Sequence, residues 1–170
     1  INIREKIRKK ITTLEDGACQ PTWSPDGTQI AFISPCQSKK ELYEGARIFI
    51  LNLDNQSEIL PLPVPVDPSG DFDPAWSPDG KKVVFASLRA GNDPNSKERL
   101  VHLYMYDFQT NTMQEITNSR WRDRQPTWSP DGNTIAFVRK VSSTEIWQIS
   151  PDGSNAIRFS GSTNSNDNYP

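Results

Sequence analysis

Long apolar runs are absent from this chain of 170 residues: the longest, such as Ile30–Ile33 and Ile48–Leu51, fall far short of the roughly twenty residues that cross a bilayer. No transmembrane segment is expected. Charge of one sign is lacking as well. With 19 basic against 21 acidic residues and a net charge of −2, the chain has no basic stripe of the kind nucleic acid requires, which removes DNA and RNA as expected partners. Histidine is reduced to His102, placed on a predicted strand and read as solvated or at the core edge. There is no Gly-x-Ser-x-Gly elbow, no nucleophile beside a matched base and no glycine loop to cradle phosphate, so neither catalysis nor a cofactor is expected. Cys19 and Cys36 are the only cysteines and make no zinc motif. Asp71 and Asp73 fall short of the roughly six to eight oxygens of a calcium cage, so no metal is expected. The chain starts at Ile1 without a leader layout; the expectation is either a removed leader or, preferably, a portion of something longer.

Repetition is what the chain has in abundance. Trp-Ser-Pro-Asp-Gly occurs at Trp23–Gly27, Trp76–Gly80 and Trp128–Gly132, spaced 53 and 52 residues apart. The surrounding segments Pro21–Ser34, Pro74–Ser87 and Pro126–Arg139 align without a gap. A period near fifty with strands inside each unit points to propeller blades. In each unit proline presets φ for a turn, aspartate bonds the backbone beyond it and glycine accepts positive φ. The chain must reverse there, and the β-branched and aromatic run that follows (Ile30–Ile33, Val83–Ala86, Ile135–Val138) makes the second arm of a hairpin. Strand C is expected at Arg47–Leu53, His102–Phe108 and Glu145–Ser150, and a weaker, more polar outer strand D at Glu58–Leu60, Gln114–Thr117 and Ile157–Ser160. Fourteen prolines and nine glycines suit so many reversals.

These segments resemble the WD-like repeats of TolB-type β-propellers, of PD40 type, and the resemblance covers nearly the whole chain. It implies an all-β fold: a propeller segment of three four-stranded antiparallel blades, open unless completed by oligomerisation or by missing blades. The expected division is 1–20 as the D strand of a preceding blade with a linker, 21–66, 67–118 and 119–163 as blades one to three, and 164–170 as the lead-in to a missing blade. Three blades cannot close a ring of the familiar four to eight, so self-association through the open flanks is expected. The resemblance further implies a non-enzymatic, bacterial, protein-binding scaffold in the periplasm or another extracytoplasmic space, the cytoplasm remaining open. The competing reading is the gating or sensor portion of a larger enzyme, such as a prolyl-oligopeptidase-like peptidase or a signalling kinase. A small-ligand or glycan receptor ranks last.

Hairpin order puts the Ser-Pro-Asp-Gly turns on one rim with the C–D turns, and the long polar loops on the other. Long loops on a rigid scaffold are where binding sits, so the partner face, for a protein or peptide, is expected on that second rim. Its anchors are Arg120, Trp121, Arg122 and Arg124, with Asp71, Phe72 and Asp73 beside them. The plainer reading is that Trp121 covers a blade junction while the arginines pair with carboxylates. Asp71, Asp123 and Asp167 recur three residues before the motif proline, and Ala18 breaks the series. An aspartate there is expected to accept backbone N–H bonds in the interblade turn, with a cation or peptide terminus as the other option. The motif residues Trp23, Asp26, Gly27, Trp76, Asp79, Gly80, Trp128, Asp131 and Gly132 are read as structural, the tryptophans as core. Folding the first hairpin about Pro25-Asp26 brings Cys19 and Cys36 close enough for a disulfide, which would indicate an oxidising compartment.

Overall fold

Each Ser-Pro-Asp-Gly segment closes on itself in the same way, and this local chemistry makes the hairpins. Asp26 Oδ1 accepts the Ser24 hydroxyl at 2.6 Å and the Thr28 N–H at 3.0 Å, while Ser24 Oγ accepts the Gln29 N–H at 2.9 Å. Gly27 stands at φ 73°, a conformation that a side chain would strain. Ser77–Asp79 and Ser129–Asp131 repeat the arrangement. These hydrogen bonds, led by the serine hydroxyl, hold the carboxyls of Asp26, Asp79 and Asp131 below the ordinary aspartate range.

The computed structural model describes residues 10–36, 43–54, 58–95 and 98–159. Among these are the strands β1 (Cys19–Trp23), β2 (Gln29–Ser34), β3 (Arg47–Asn52) and β4 (Ile59–Pro61) of the first sheet. The second holds β5 (Asp71–Trp76), β6 (Lys82–Ser87), β7 (His102–Asp107) and β8 (Thr112–Glu115), and the third β9 (Arg122–Trp128), β10 (Ile135–Lys140), β11 (Thr144–Ile149) and β12 (Ile157–Arg158). Every sheet is a four-stranded antiparallel meander in chain order. The first strands of successive sheets lie against each other, β1 on β5 and β5 on β9, whereas among the strands β4, β8 and β12 pack only on β3, β7 and β11. Strand A therefore lines the axis and strand D the periphery, the arrangement of propeller blades. Core weight falls on the second strands: Ala31, Ile33, Val83–Ala86, Ile135 and Phe137 are fully buried, as expected for strands covered on both faces.

Strand A carries an irregularity at one repeat position. The pairing register shifts between Cys19 and Thr22, between Phe72 and Ala75, and opposite Ala136 and Val138. Gln20, Asp73 and Gln125, the residue before each motif proline, stand there at φ 54°, 52° and 51°. Left-handed backbone at a non-glycine residue costs roughly 1–2 kcal/mol, so side-chain bonds must hold it.

Three sequence expectations need correcting. Trp76 is buried at 8% and Trp128 half-buried, but Trp23, expected in the core, is 60% exposed. The reason is directional: Trp128 leans on the preceding blade, donating its indole N–H to Ala75 O at 3.3 Å, and no described strand stands on that side of Trp23. Residues 10–13, in the expected orphan D strand around Ile7–Thr13, are irregular; residues 1–9 and the lead-in at 164–170 lie outside the described residues. Strand D of blade two is Thr112–Glu115 rather than Gln114–Thr117, because Ile116 and Thr117 turn inward and are buried. No described helix is long and apolar enough to cross a membrane.

Candidate functional site

The irregular position in strand A links each blade to the next. Gln20 in blade one accepts the Asp73 N–H on its Oε1 at 2.7 Å and donates from Nε2 to Asp73 Oδ1 at 2.6 Å. Asp73 in turn accepts the Gln125 N–H on Oδ2 at 3.1 Å. The backbone amides freed by the register shift are thereby satisfied from the neighbouring blade. Burial pushes the Asp73 carboxyl above its ordinary range, opposed chiefly by the charge of Arg124.

Two residues earlier, the aspartate series does something other than expected. Asp71 and Asp123 pair with arginines of their own blades rather than with backbone amides. Arg89 Nη2 donates to both Asp71 oxygens, at 2.7 and 2.8 Å, and the Ser87 hydroxyl donates to Oδ1 at 2.6 Å. Asp123, fully buried, receives Arg139 Nε at 2.7 Å and Nη2 at 2.9 Å. Burial raises the Asp71 carboxyl, and Arg89 and Ser87 pull it back only part of the way. In blade one Ala18 removes the carboxylate, and the Cys19 and Cys36 sulfurs are bonded at 2.14 Å with Cα atoms 5.7 Å apart. All three hairpins are clasped at the same open end, blades two and three by a carboxylate–arginine pair and blade one by a disulfide.

The blade-three clasp also reaches the D–A loop after β8, where Arg120 and Trp121 sit: the Ser119 hydroxyl donates to Asp123 Oδ2 at 3.2 Å. His102, buried at the start of β7, places Nδ1 2.6 Å from Glu115 Oε1 and donates from Nε2 to Ser119 O at 2.6 Å, tying the loop to strands C and D. The Tyr104 hydroxyl donates to the same Glu115 oxygen at 3.0 Å, and burial with that carboxylate pushes its phenol well above the usual range. Ser119 Oγ then accepts the Trp121 N–H at 3.2 Å. Arg122 donates from Nε to Arg99 O at 3.1 Å, with Glu98 3.7 Å from Nη2, and so joins the B–C loop of blade two to the same rim. Arg124 lies 5.2 Å over the Phe72 ring and reaches Asp73 only through Nε, at 3.4 Å. Arg120 is exposed, its guanidinium 5.7 Å over the Trp121 ring.

Of the seven residues expected at the partner face, Arg120, Trp121, Arg122 and Arg124 are partly or well exposed. The other three lie under it: Phe72 is fully buried, Asp71 is closed by Arg89, and the Asp73 side chain is nearly so. They lie beneath the face and hold it from below. The plainer reading of the arginines applies to Arg122 and Arg124, but not to Arg120. Sequence reasoning missed Gln20, Gln125, Arg89, Arg139 and the anchoring role of His102. Gln20-Pro21, Asp73-Pro74 and Gln125-Pro126 did carry a signal, a side chain with an acceptor oxygen before each motif proline. Among the described residues no three His, Cys, Asp or Glu side chains gather as a metal site.

The sequence profile of the TolB beta propeller domain, PD40, matches residues 71–169. The chain is 28% identical over 143 residues to the uncharacterized peptidase YuxL of Bacillus subtilis, covering 81% of this chain and 20% of that protein. It is 32% identical over 87 residues to the Tol-Pal system protein TolB of Anaeromyxobacter dehalogenans, covering 51% of this chain and 18% of that one. The chain thus spans about a fifth of the length of these relatives. The crystal structure of TolB from Acinetobacter baumannii superposes with a TM-score of 0.67 at 22% identity, over 90% of this chain and 34% of that one. This likeness shows the fold.

Proposed function

Because the chain belongs to the PD40 family of TolB β-propeller domains, we propose that it is a non-enzymatic scaffold whose long-loop rim binds a protein or peptide partner. One observation carries this reading: an Arg120–Trp121 pair, the arginine exposed and the tryptophan partly so, stands on a loop pinned from below by His102 and Glu115 and from the side by Arg122. Tryptophan and arginine are common interface anchors, and a loop already held in place loses little freedom on docking. Arg124, whose Nη groups have no acceptor among the described residues, adds donors for a carboxylate of the partner.

The Cys19–Cys36 bond supports an extracytoplasmic location, where disulfides persist. The exposed Trp23 indole supports self-association or further blades, since its counterpart Trp128 rests on the preceding blade through Ala75 O. A second reading, the propeller portion of a larger enzyme, draws on the match to YuxL across 81% of this chain. A hydrolase motif in the same polypeptide favours it, and further blades alone favour the scaffold.

The test is affinity capture from a cell-envelope extract by the chain and by its Arg120→Glu, Trp121→Ala variant. A specific captured protein lost from the variant, with unchanged circular dichroism, supports the reading. Unchanged capture contradicts it.

A further inference from the structure

The rim opposite the long loops carries a cleft that blade two fills with its own side chain and blade three leaves open. Superimposing the repeats by strand register makes Phe108 the counterpart of Pro151, since Ser87 pairs with His102 and Arg139 with Glu145 at the same hairpin position. In blade two Phe108 stacks on the motif tryptophan Trp76, with ring centroids 5.4 Å apart and planes 13° from parallel. Trp76 is buried as a result. In blade three the shorter Pro151 stands in that place, Trp128 stays half-buried, and a cleft of about 270 Å³ opens along it.

The turns on either side differ in the same sense. A Cβ on Gly80 would lie 3.3 Å from Pro25 across the first junction, whereas one on Gly132 would lie 3.8 Å from Pro78 across the second. The cleft is walled by Pro78, Gly132 and Pro151, floored by Trp128, and edged by the carboxylates of Asp79 and Asp131. Its one cation, Lys82, is already paired with Asp107 at 3.0 Å. The Trp128 indole N–H is engaged with Ala75 O, which leaves the ring for a ligand. Both aspartates are held below the usual range, mainly by the hydroxyls of Ser77 and Ser129, so they are ionised at neutral pH.

From this geometry we infer that the cleft between blades two and three is a second binding site, which takes the aromatic side chain of a peptide segment that also carries a basic residue. The ring stacks on Trp128 as Phe108 stacks on Trp76, and the cation meets Asp79 and Asp131 at the mouth. The site lies on the opposite rim from Trp121, so it stands or falls independently of the long-loop reading.

The experiment follows the tryptophan indole N–H signals of the nitrogen-labelled chain during titration with acetyl-Lys-Phe-Lys-amide, acetyl-Lys-Ala-Lys-amide and acetyl-Glu-Phe-Glu-amide. The Lys-Phe-Lys peptide is expected to move the Trp128 signal and leave that of Trp76 in place. Loss of the stacked ring in the Lys-Ala-Lys peptide is expected to weaken binding up to about tenfold. Pro151→Phe copies blade two and is expected to abolish the shift; should that variant fail to fold, Asp131→Asn is expected to weaken Lys-Phe-Lys binding severalfold while leaving that of Glu-Phe-Glu no weaker. Arg120→Glu is expected to change nothing here. A Trp128 signal that does not respond, or binding undiminished in Pro151→Phe or Asp131→Asn, overturns the proposal.

Discussion

Blades one and three differ least in sequence around the motif and most in how their hairpins are held. In blade three the open end is closed by a fully buried Asp123 and by Arg139, whose guanidinium also lies 4.4 Å over the Trp147 ring and 5.2 Å over Phe137. In blade one the aspartate is replaced by Ala18, the two sulfurs close the hairpin, and Arg47 reaches the equivalent ring, Phe49, from strand C at 6.0 Å. Blade two uses a third route: Arg89, displaced two residues along the chain from the Arg139 position, folds back to Asp71 and lies 5.2 Å over Tyr104. The difference teaches that the repeat conserves a location for a cation over a ring, and not the residue that supplies it.

The sharpest break in this comparison comes from removing one half of the buried pair. Asp123→Ala leaves Arg139 charged and unpaired in the interior and is expected to cost about 3–5 kcal/mol, read as a lowered urea midpoint. Removing both partners, as Asp123→Leu with Arg139→Met, is expected to cost less than the single change, since the stranded charge goes with it. An equal or larger loss in the double variant would show that the pair stabilises in its own right.

Blade one comes next. Cys19→Ser with Cys36→Ser opens a hairpin loop of 17 residues, worth about 3 kcal/mol by the chain-entropy account. Thiol titration under denaturing, non-reducing conditions is expected to find no reactive cysteine in the unaltered chain. Two reactive thiols would remove the bridge from blade one and the argument for an oxidising compartment with it.

Smaller again is Gln20→Ala, which takes the acceptor from the Asp73 amide and is expected to cost about 1–3 kcal/mol in the same urea titration. The smallest effect is one of pH. Burial raises the folded-state pKa of Asp73, so its contribution is fully present below the ordinary carboxylate value and is lost as pH rises through the raised one. The penalty of Asp73→Asn is therefore expected to be largest in acid and to shrink towards neutrality, measured as the difference in unfolding free energy across that range. Penalties that grow with pH would mean that the Arg124, Gln125 and Gln20 bonds outweigh burial.

How much of this was readable in the sequence divides along the range of the interactions. The Ser-Pro-Asp-Gly turns and the strands around them were legible because each turn is closed by atoms within five residues of one another, such as Ser24, Asp26 and Gln29. The clasps were not. Arg89 and Arg139 occupy different repeat positions, so no periodic signal marks them, and the aspartates they bind suggested backbone capping instead. Trp23 was misplaced because exposure at a blade flank depends on a neighbour and not on local pattern. The proposed rim was singled out through Arg120-Trp121-Arg122-Asp123-Arg124, but composition could not separate the exposed Arg120 from Arg122 and Arg124, which are bound to Arg99 O and Asp73.

The claim that the long-loop rim is the working face is tested most directly by site-specific photo-crosslinking in the native cell, with p-benzoylphenylalanine placed in turn at Arg120 and at Thr112 on the outer strand β8. The account predicts a discrete adduct from position 120, absent when Arg124 is also changed to glutamate, and none of comparable yield from position 112. An adduct formed equally from both positions, or from position 112 alone, would contradict it.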